Sequence, residues 1–325
     1  MSVASPAPTS ARVTPPRLEG RIRLPDGRHV GFAEYGTPGG RPVVWFHGTP
    51  GARRQIPQAA REAAVARDVR LVAFDRPGIG DSAPHTYADV RETARDVAHL
   101  LDQLGVERFG IIALSGGGPY ALACAHEMPD RVVAACVLGG VAPSHGNDAP
   151  DGGLVGTFRG FGAVVDVLTL PLGIAASAFV QCIKPIKHQV YDLYTRISPE
   201  GDQRVLRRHE MREMFLDDLL GASRRGVRSI VYDARLFLRP WGFSVRDIRV
   251  PVRFWHGDAD NIVPLAHAEH LVALVPDAEL RVRRGESHIG TLDAAPEIID
   301  VLLGLWNADG AAARERAPLS TAEGP

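Results

Sequence analysis

Residues 111–120 read Ile-Ile-Ala-Leu-Ser-Gly-Gly-Gly-Pro-Tyr. An apolar run, the pattern of a buried strand, stops at Ser115; three glycines follow, and a helix-like segment begins. One serine therefore sits on a strand-to-helix turn too tight for bulky neighbours. Ala113-Leu114-Ser115-Gly116-Gly117 differs by one residue from Gly-x-Ser-x-Gly, in which small flanking residues let the backbone fold sharply and push the hydroxyl out above a sheet. Alanine at 113 keeps that position small. Ser115 is the candidate nucleophile.

A hydroxyl needs a base to take its proton and an acid residue to orient that base. Both are expected at the ends of later strands. After Val250 the chain reads Pro-Val-Arg-Phe-Trp-His-Gly-Asp-Ala-Asp-Asn-Ile-Val-Pro, a short apolar strand running into a turn that presents Asp258 and Asp260. Leu280-Arg-Val-Arg-Arg-Gly-Glu-Ser-His288 reads as another strand with a histidine just past its end. Serine, aspartate and histidine thus follow in an order that one architecture imposes. Val43-Val-Trp-Phe-His-Gly-Thr-Pro-Gly51 is a buried strand entering a turn whose backbone N–H groups can point outward. Attack on a carbonyl needs such donors for the developing oxyanion. That role falls to the backbone N–H groups of Thr49 and Gly116.

With these pieces the sequence resembles the α/β-hydrolase superfamily from about residue 18 to 306. The resemblance rests on His47-Gly48-Thr49-Pro50-Gly51, Asp75-Arg76-Pro77-Gly78-Ile79-Gly80-Asp81-Ser82, the turn at Ser115, Gly257-Asp258-Ala259-Asp260-Asn261-Ile262-Val263-Pro264, and Ser287-His288. It implies an α/β fold with a mostly parallel eight-stranded sheet, helices on both faces and a helical cap inserted after the sixth strand. It favours Asp260 over Asp258 as the acid of a Ser115-His288-Asp260 triad. The implied chemistry is serine hydrolysis of a carboxylic ester or related acyl compound with an apolar part, without metal or organic cofactor. Cleavage of a lactone, a carbon–carbon bond or an aminoacyl bond uses the same groups, and some members are ligand receptors that do not turn over.

A hydrophobic fraction of 45% is ordinary for a globular protein with a large core. With 37 basic against 38 acidic residues the net charge is −1, which gives no polycationic surface for nucleic acid. Cys124, Cys136 and Cys182 are odd in number and far apart, and read as buried, reduced thiols of a cytoplasmic protein. Residues 1–16, rich in Ser, Ala, Pro and Thr, read as a disordered tail without a signal peptide's apolar stretch, and 307–325 as a second tail. Asp26-Gly27 predicts a hairpin.

Strands and helices then alternate: Val43–Phe46, a helix near Gln55–Arg67, Arg70–Phe74, a helix near Val90–Leu104, Phe109–Leu114, a helix near Gly118–Met128, and Val132–Leu138. That alternation predicts a largely parallel sheet with ligands at the strands' carboxyl ends. Roughly 110 residues separate Val132–Leu138 from the next strand, where a crossover needs about 10 to 30. The core is accordingly expected at 17–143 and 244–306, with a cap at 144–243. Within the cap, Gly153–Ala163 is glycine-rich, and Phe161–Val180 is apolar but interrupted by Asp166 and Pro171-Leu-Gly173, which argues for two short helices and against a transmembrane segment. Gly201–Arg228, with Met211, Met214, Phe215 and Leu216 at helical spacing, predicts an amphipathic helix.

Several polar residues of these motifs read as structural. His47 and His256 each precede a turn glycine and support the loop. Asp75 and Asp81 bracket a turn to which their side chains hydrogen-bond. Asp258 stabilises the turn presenting Asp260. Phe158, Phe179, Met214, Trp241 and Phe243 read as the cap's own core.

Overall fold

The computed structural model describes residues 13–149, 181–182, 184–223 and 228–316. The Gly153–Ala163 and Phe161–Val180 segments, with Phe158 and Phe179, lie outside the described residues. Eight strands form one sheet in the order β1-β2-β4-β3-β5-β6-β7-β8. They are β1 (Leu18–Arg23), β2 (His29–Gly36), β3 (Arg41–Phe46), β4 (Val69–Phe74), β5 (Phe109–Leu114), β6 (Val132–Leu138), β7 (Val252–Gly257) and β8 (Ala278–Arg283). Only β2 runs antiparallel to its neighbours, β1 and β4; the remaining pairs are parallel.

The core strands are apolar throughout because both faces are covered. Period-two alternation sends Phe109, Ile111 and Ala113 to one face, packed with α2 (Thr93–Gln103), α3 (Gly118–Glu127) and α8 (Ala266–Leu274). Ile112 and Leu114 go to the other, against α1 (Gln58–Ala66) and α9 (Ala295–Arg316). The edge strands β1 and β8 carry alternating, partly exposed residues instead.

Between β6 and β7 the described residues form α4 (Lys187–Ile197), α5 (Glu200–Leu206), α6 (His209–Ala222) and α7 (Arg228–Phe237). The amphipathic stretch expected at 201–228 is two helices, because Arg208 turns extended. That break lets Asp202, Val205 and Leu206 bury on α5 independently of Met211, Met214 and Leu216 on α6. Among the described residues of this insertion, these apolar side chains form no separate core but join the cluster beneath α1 and α9, so Met214 does not belong to a core of the insertion's own. Trp241 and Phe243 pack against the opposite cluster, their rings 6.0 Å apart.

Three expectations change. The second tail is shorter, since α9 continues to Arg316; its Ala-rich end is a good helix former, and Asp309 pairs with Arg108 at 2.6 Å. The first tail ends earlier than residue 16, because Thr14 N–H donates to Gln58 Oε1 at 2.8 Å and Arg61 binds the Thr14 carbonyl. Cys182 is exposed, while Cys124 and Cys136 are buried. Among the described residues no helix is long and apolar enough to cross a membrane.

Candidate active site

Because β3, β5, β7 and β8 run parallel, the loops after them open at one edge of the sheet. Ser115 is the first residue past β5 and adopts φ +51, the left-handed region that a β-carbon disfavours. The turn survives through its neighbours: a β-carbon on Gly116 would overlap Thr49, and one on Gly117 would lie 2.6 Å from the Phe46 carbonyl oxygen. The elbow is thereby pressed against the end of β3.

On the other side, Gly257 closes β7, and a β-carbon there would overlap the Glu286 carbonyl. This close approach brings the loop carrying Asp260 against the loop carrying His288. Asp260 Oδ2 lies 2.7 Å from His288 Nδ1 and 3.3 Å from His256 Nε2. Its Oδ1 accepts the Ile262 and Val263 N–H groups, each at 2.9 Å. Burial works against the charge, but the hydrogen bonds from His256, His288 and the Val263 N–H outweigh it and hold the carboxyl well below the usual carboxylate range. An ionised carboxylate only accepts, so His288 Nδ1 carries a proton and Nε2 is left free to accept one.

Ser115 and His288 line one cavity of about 360 Å³. Thr49, Pro50 and Gly51 form the wall from the β3 loop, and the insertion between β6 and β7 contributes Tyr191, Tyr194, Leu206, Phe215, Leu219 and Ile230. The surface is mostly apolar. A cavity of this size suits a compact or medium-sized ligand.

The residues read as structural behave so, except that Asp81 Oδ1 and Oδ2 accept from Arg21 and Arg53, outside the turn that it brackets. His47 Nδ1 donates to the Gly48 carbonyl at 2.8 Å, while burial and the adjacent Arg76 charge push its pKa far down, so it stays neutral. Asp75 accepts the Arg53 and Asp81 N–H groups, and Asp258 accepts the Gly285 N–H at 2.7 Å. His256 does more than support its loop: it donates to the Val263 carbonyl at 2.7 Å and also reaches Asp260.

Among the described residues, motif reading misses three buried carboxylates on the helices between β6 and β7. Asp202 accepts the Ile289 and Gly290 N–H groups, each at 2.8 Å, directly after His288. Asp218 accepts the Ala52 N–H at 2.9 Å. Asp233 accepts from Thr49 Oγ1 and the Tyr120 hydroxyl, each at 2.6 Å, and from Arg76 Nη2 at 2.7 Å. A helix-wheel signal exists for each: Asp202 with Val205 and Leu206, Asp218 with Met211, Met214 and Ala222, and Asp233 with Ile230 and Phe237 share an apolar face at spacings of three or four. A carboxylate there must find a partner on burial.

Burial lifts the Asp218 carboxyl to about 7; the Ala52 N–H opposes the rise and the Asp75 charge adds to it. Its Oδ1 has no hydrogen-bond partner. The unfolded chain ionises this group near 4. Between those values the folded state holds the extra proton, so stability falls as pH rises through the window. Asp218→Asn removes the charge and keeps an acceptor for Ala52. Its melting temperature should gain on the parent's by several degrees between pH 5 and pH 8, at roughly 2 to 4 °C per kcal/mol. Scanning calorimetry at both pH values checks this; a constant difference would contradict it.

A family model described as the alpha/beta hydrolase family matches residues 38–301. The chain belongs to the alpha/beta hydrolase family. Among family relatives, a non-heme haloperoxidase of Rhodococcus erythropolis is 28% identical over 274 residues, covering 82% of this chain and 92% of that protein. A probable proline iminopeptidase of Streptomyces coelicolor is 36% identical over 135 residues, 39% of this chain and 41% of that protein. The fold is similar to that of an esterase from Exiguobacterium antarcticum, with a TM-score of 0.63 and 18% identity over 88% of this chain and 98% of that one. As an alpha/beta hydrolase the chain is an enzyme of the hydrolase class.

Proposed function

We propose that this hydrolase cleaves carboxylic esters or related acyl compounds with an apolar part, through Ser115, His288 and Asp260. The reading is carried by one observation: Ser115, in its left-handed turn, shares a cavity wall with His288, whose other ring nitrogen is bound to Asp260. Ser115 Oγ attacks the carbonyl while His288 Nε2 takes its proton. The carbonyl oxygen becomes an oxyanion facing the Thr49 and Gly116 N–H groups. His288 then returns the proton to the departing alkoxide, and Asp260 stabilises the imidazolium formed in between. Water repeats the sequence on the acyl-enzyme. No step calls for a metal or organic cofactor.

The apolar cavity supports a substrate of small to medium size. A panel of p-nitrophenyl esters from acetate to dodecanoate, run beside a lactone, an aminoacyl anilide and a β-diketone, tests this. Turnover is expected on the esters, highest for short and medium acyl chains. Turnover confined to another class would move the reading to that class. Fluorophosphonate labelling without turnover on any would favour a ligand receptor.

A further inference from the structure

We infer that Arg76 and the cap residue Asp233 form a clamp that aims the Thr49 N–H at the reacting carbonyl. This rests on the ester-hydrolase reading, since it assigns positioning residues to that site's oxyanion hole.

The argument begins with one peptide unit. Arg76 Nη2 donates to the Gly48 carbonyl at 2.9 Å, and His47 Nδ1 meets the same oxygen at 2.8 Å. In a trans peptide the carbonyl and the following N–H point to opposite sides. Drawing the Gly48 oxygen toward the guanidinium therefore turns the Thr49 N–H away from it. Thr49 lines the cavity with Ser115, and among the described residues its N–H meets no protein acceptor. The donor is free for a ligand oxygen.

Arg76 also donates to the His47 carbonyl at 2.5 Å and to Thr49 Oγ1 at 2.7 Å, so one buried guanidinium holds three consecutive residues of the turn. Asp233 fixes the guanidinium and the threonine together: its Oδ2 accepts Arg76 Nε at 3.2 Å, Arg76 Nη2 at 2.7 Å and Thr49 Oγ1 at 2.6 Å. Tyr120 secures Oδ1 at 2.6 Å. Thr49 Oγ1 lies where a β-carbon on Gly116 would be, so the clamp also sets the gap between the two donors of the hole. Asp233 belongs to α7 of the cap, and Arg76, Thr49 and Tyr120 to the core. The oxyanion side of the centre is complete only with α7 seated.

The test uses Asp233→Asn and Thr49→Val in the full chain. The first discharges the carboxylate; the second keeps the backbone N–H and side-chain shape but drops the hydroxyl that the clamp holds. Turnover of p-nitrophenyl butyrate is measured per serine labelled at completion by a fluorophosphonate, which counts only folded sites. Both variants should lose about 10-fold to 100-fold in kcat, with KM within about threefold, because a small displacement of an oxyanion donor acts on the transition state. The Ki of an alkyl trifluoromethyl ketone, whose hemiketal oxyanion occupies the hole, should rise in parallel. A merely structural role would lower the melting temperature and leave both quantities in place. Should kcat per labelled serine and Ki stay within twofold of the parent in both variants while the parent is active and labelled at Ser115, the clamp is overturned and the hydrolase reading stands. A parent that neither turns over nor labels overturns both.

Discussion

Ser115→Ala is expected to lower ester turnover by about 10³-fold to 10⁶-fold while leaving the melting temperature near or above that of the parent. The first half follows from chemistry: without Oγ no acyl-enzyme forms, and residual rate comes only from the oxyanion donors acting on bound water. The second half follows from packing. Alanine keeps the backbone strain that φ +51 imposes on any residue with a β-carbon, so the change leaves that cost as it is. Alanine fits the same turn without crowding Thr49 or Phe46, and it buries no new polar atom. Turnover and calorimetry on one preparation check both halves. An alanine variant with turnover within tenfold of the parent would remove Ser115 from the mechanism.

Asp260→Asn should cost about 10⁴-fold in kcat, and the environment of the side chain says why. The Ile262 and Val263 N–H groups both donate to Oδ1, so an asparagine must place its oxygen there. Its NH₂ then faces His288 Nδ1, where the carboxylate oxygen stood. His288 can answer only by moving its proton to Nε2, which leaves no base for Ser115. The imidazole nitrogen resonances should report that tautomer change directly. Asp258→Asn is the control: its side chain holds the Gly285 N–H, away from His288, and turnover should change by less than about threefold. If the two variants lost activity equally, Asp260 would not be the acid.

The sheet was highly legible in the sequence. β5 and β6 fall at Phe109–Leu114 and Val132–Leu138, as read from their apolar runs, because a parallel strand covered on both faces has no polar position to blur its ends. That Ser115, Asp260 and His288, the proposed site residues, fall in loops past β5, β7 and β8 was legible because glycine-rich turns announce where strands stop. Thr49 and Gly116, the proposed oxyanion donors, lie in turns marked by the same punctuation. The insertion between β6 and β7 was legible only as a length. Asp202, Asp218 and Asp233 each satisfy a group on a distant loop, at separations of 87, 166 and 184 residues, and no local pattern encodes such a partner. The end of α9 was misread because Ala, Arg and Glu are common both to polar tails and to helices; Arg108, some two hundred residues upstream, holds Asp309 in place.

The insertion between β6 and β7 also governs how the chain can be assembled. β6 is buried along its whole length, and its outer edge is covered by β7, which lies beyond the entire insertion. Until synthesis passes residue 257, the nascent polypeptide exposes Val-Val-Ala-Ala-Cys-Val-Leu as an unpaired apolar border, the kind of segment that recruits other chains. Truncated chains ending before β7 should therefore accumulate as insoluble material, and grafting a different insertion between these strands should succeed only when it closes that distance quickly.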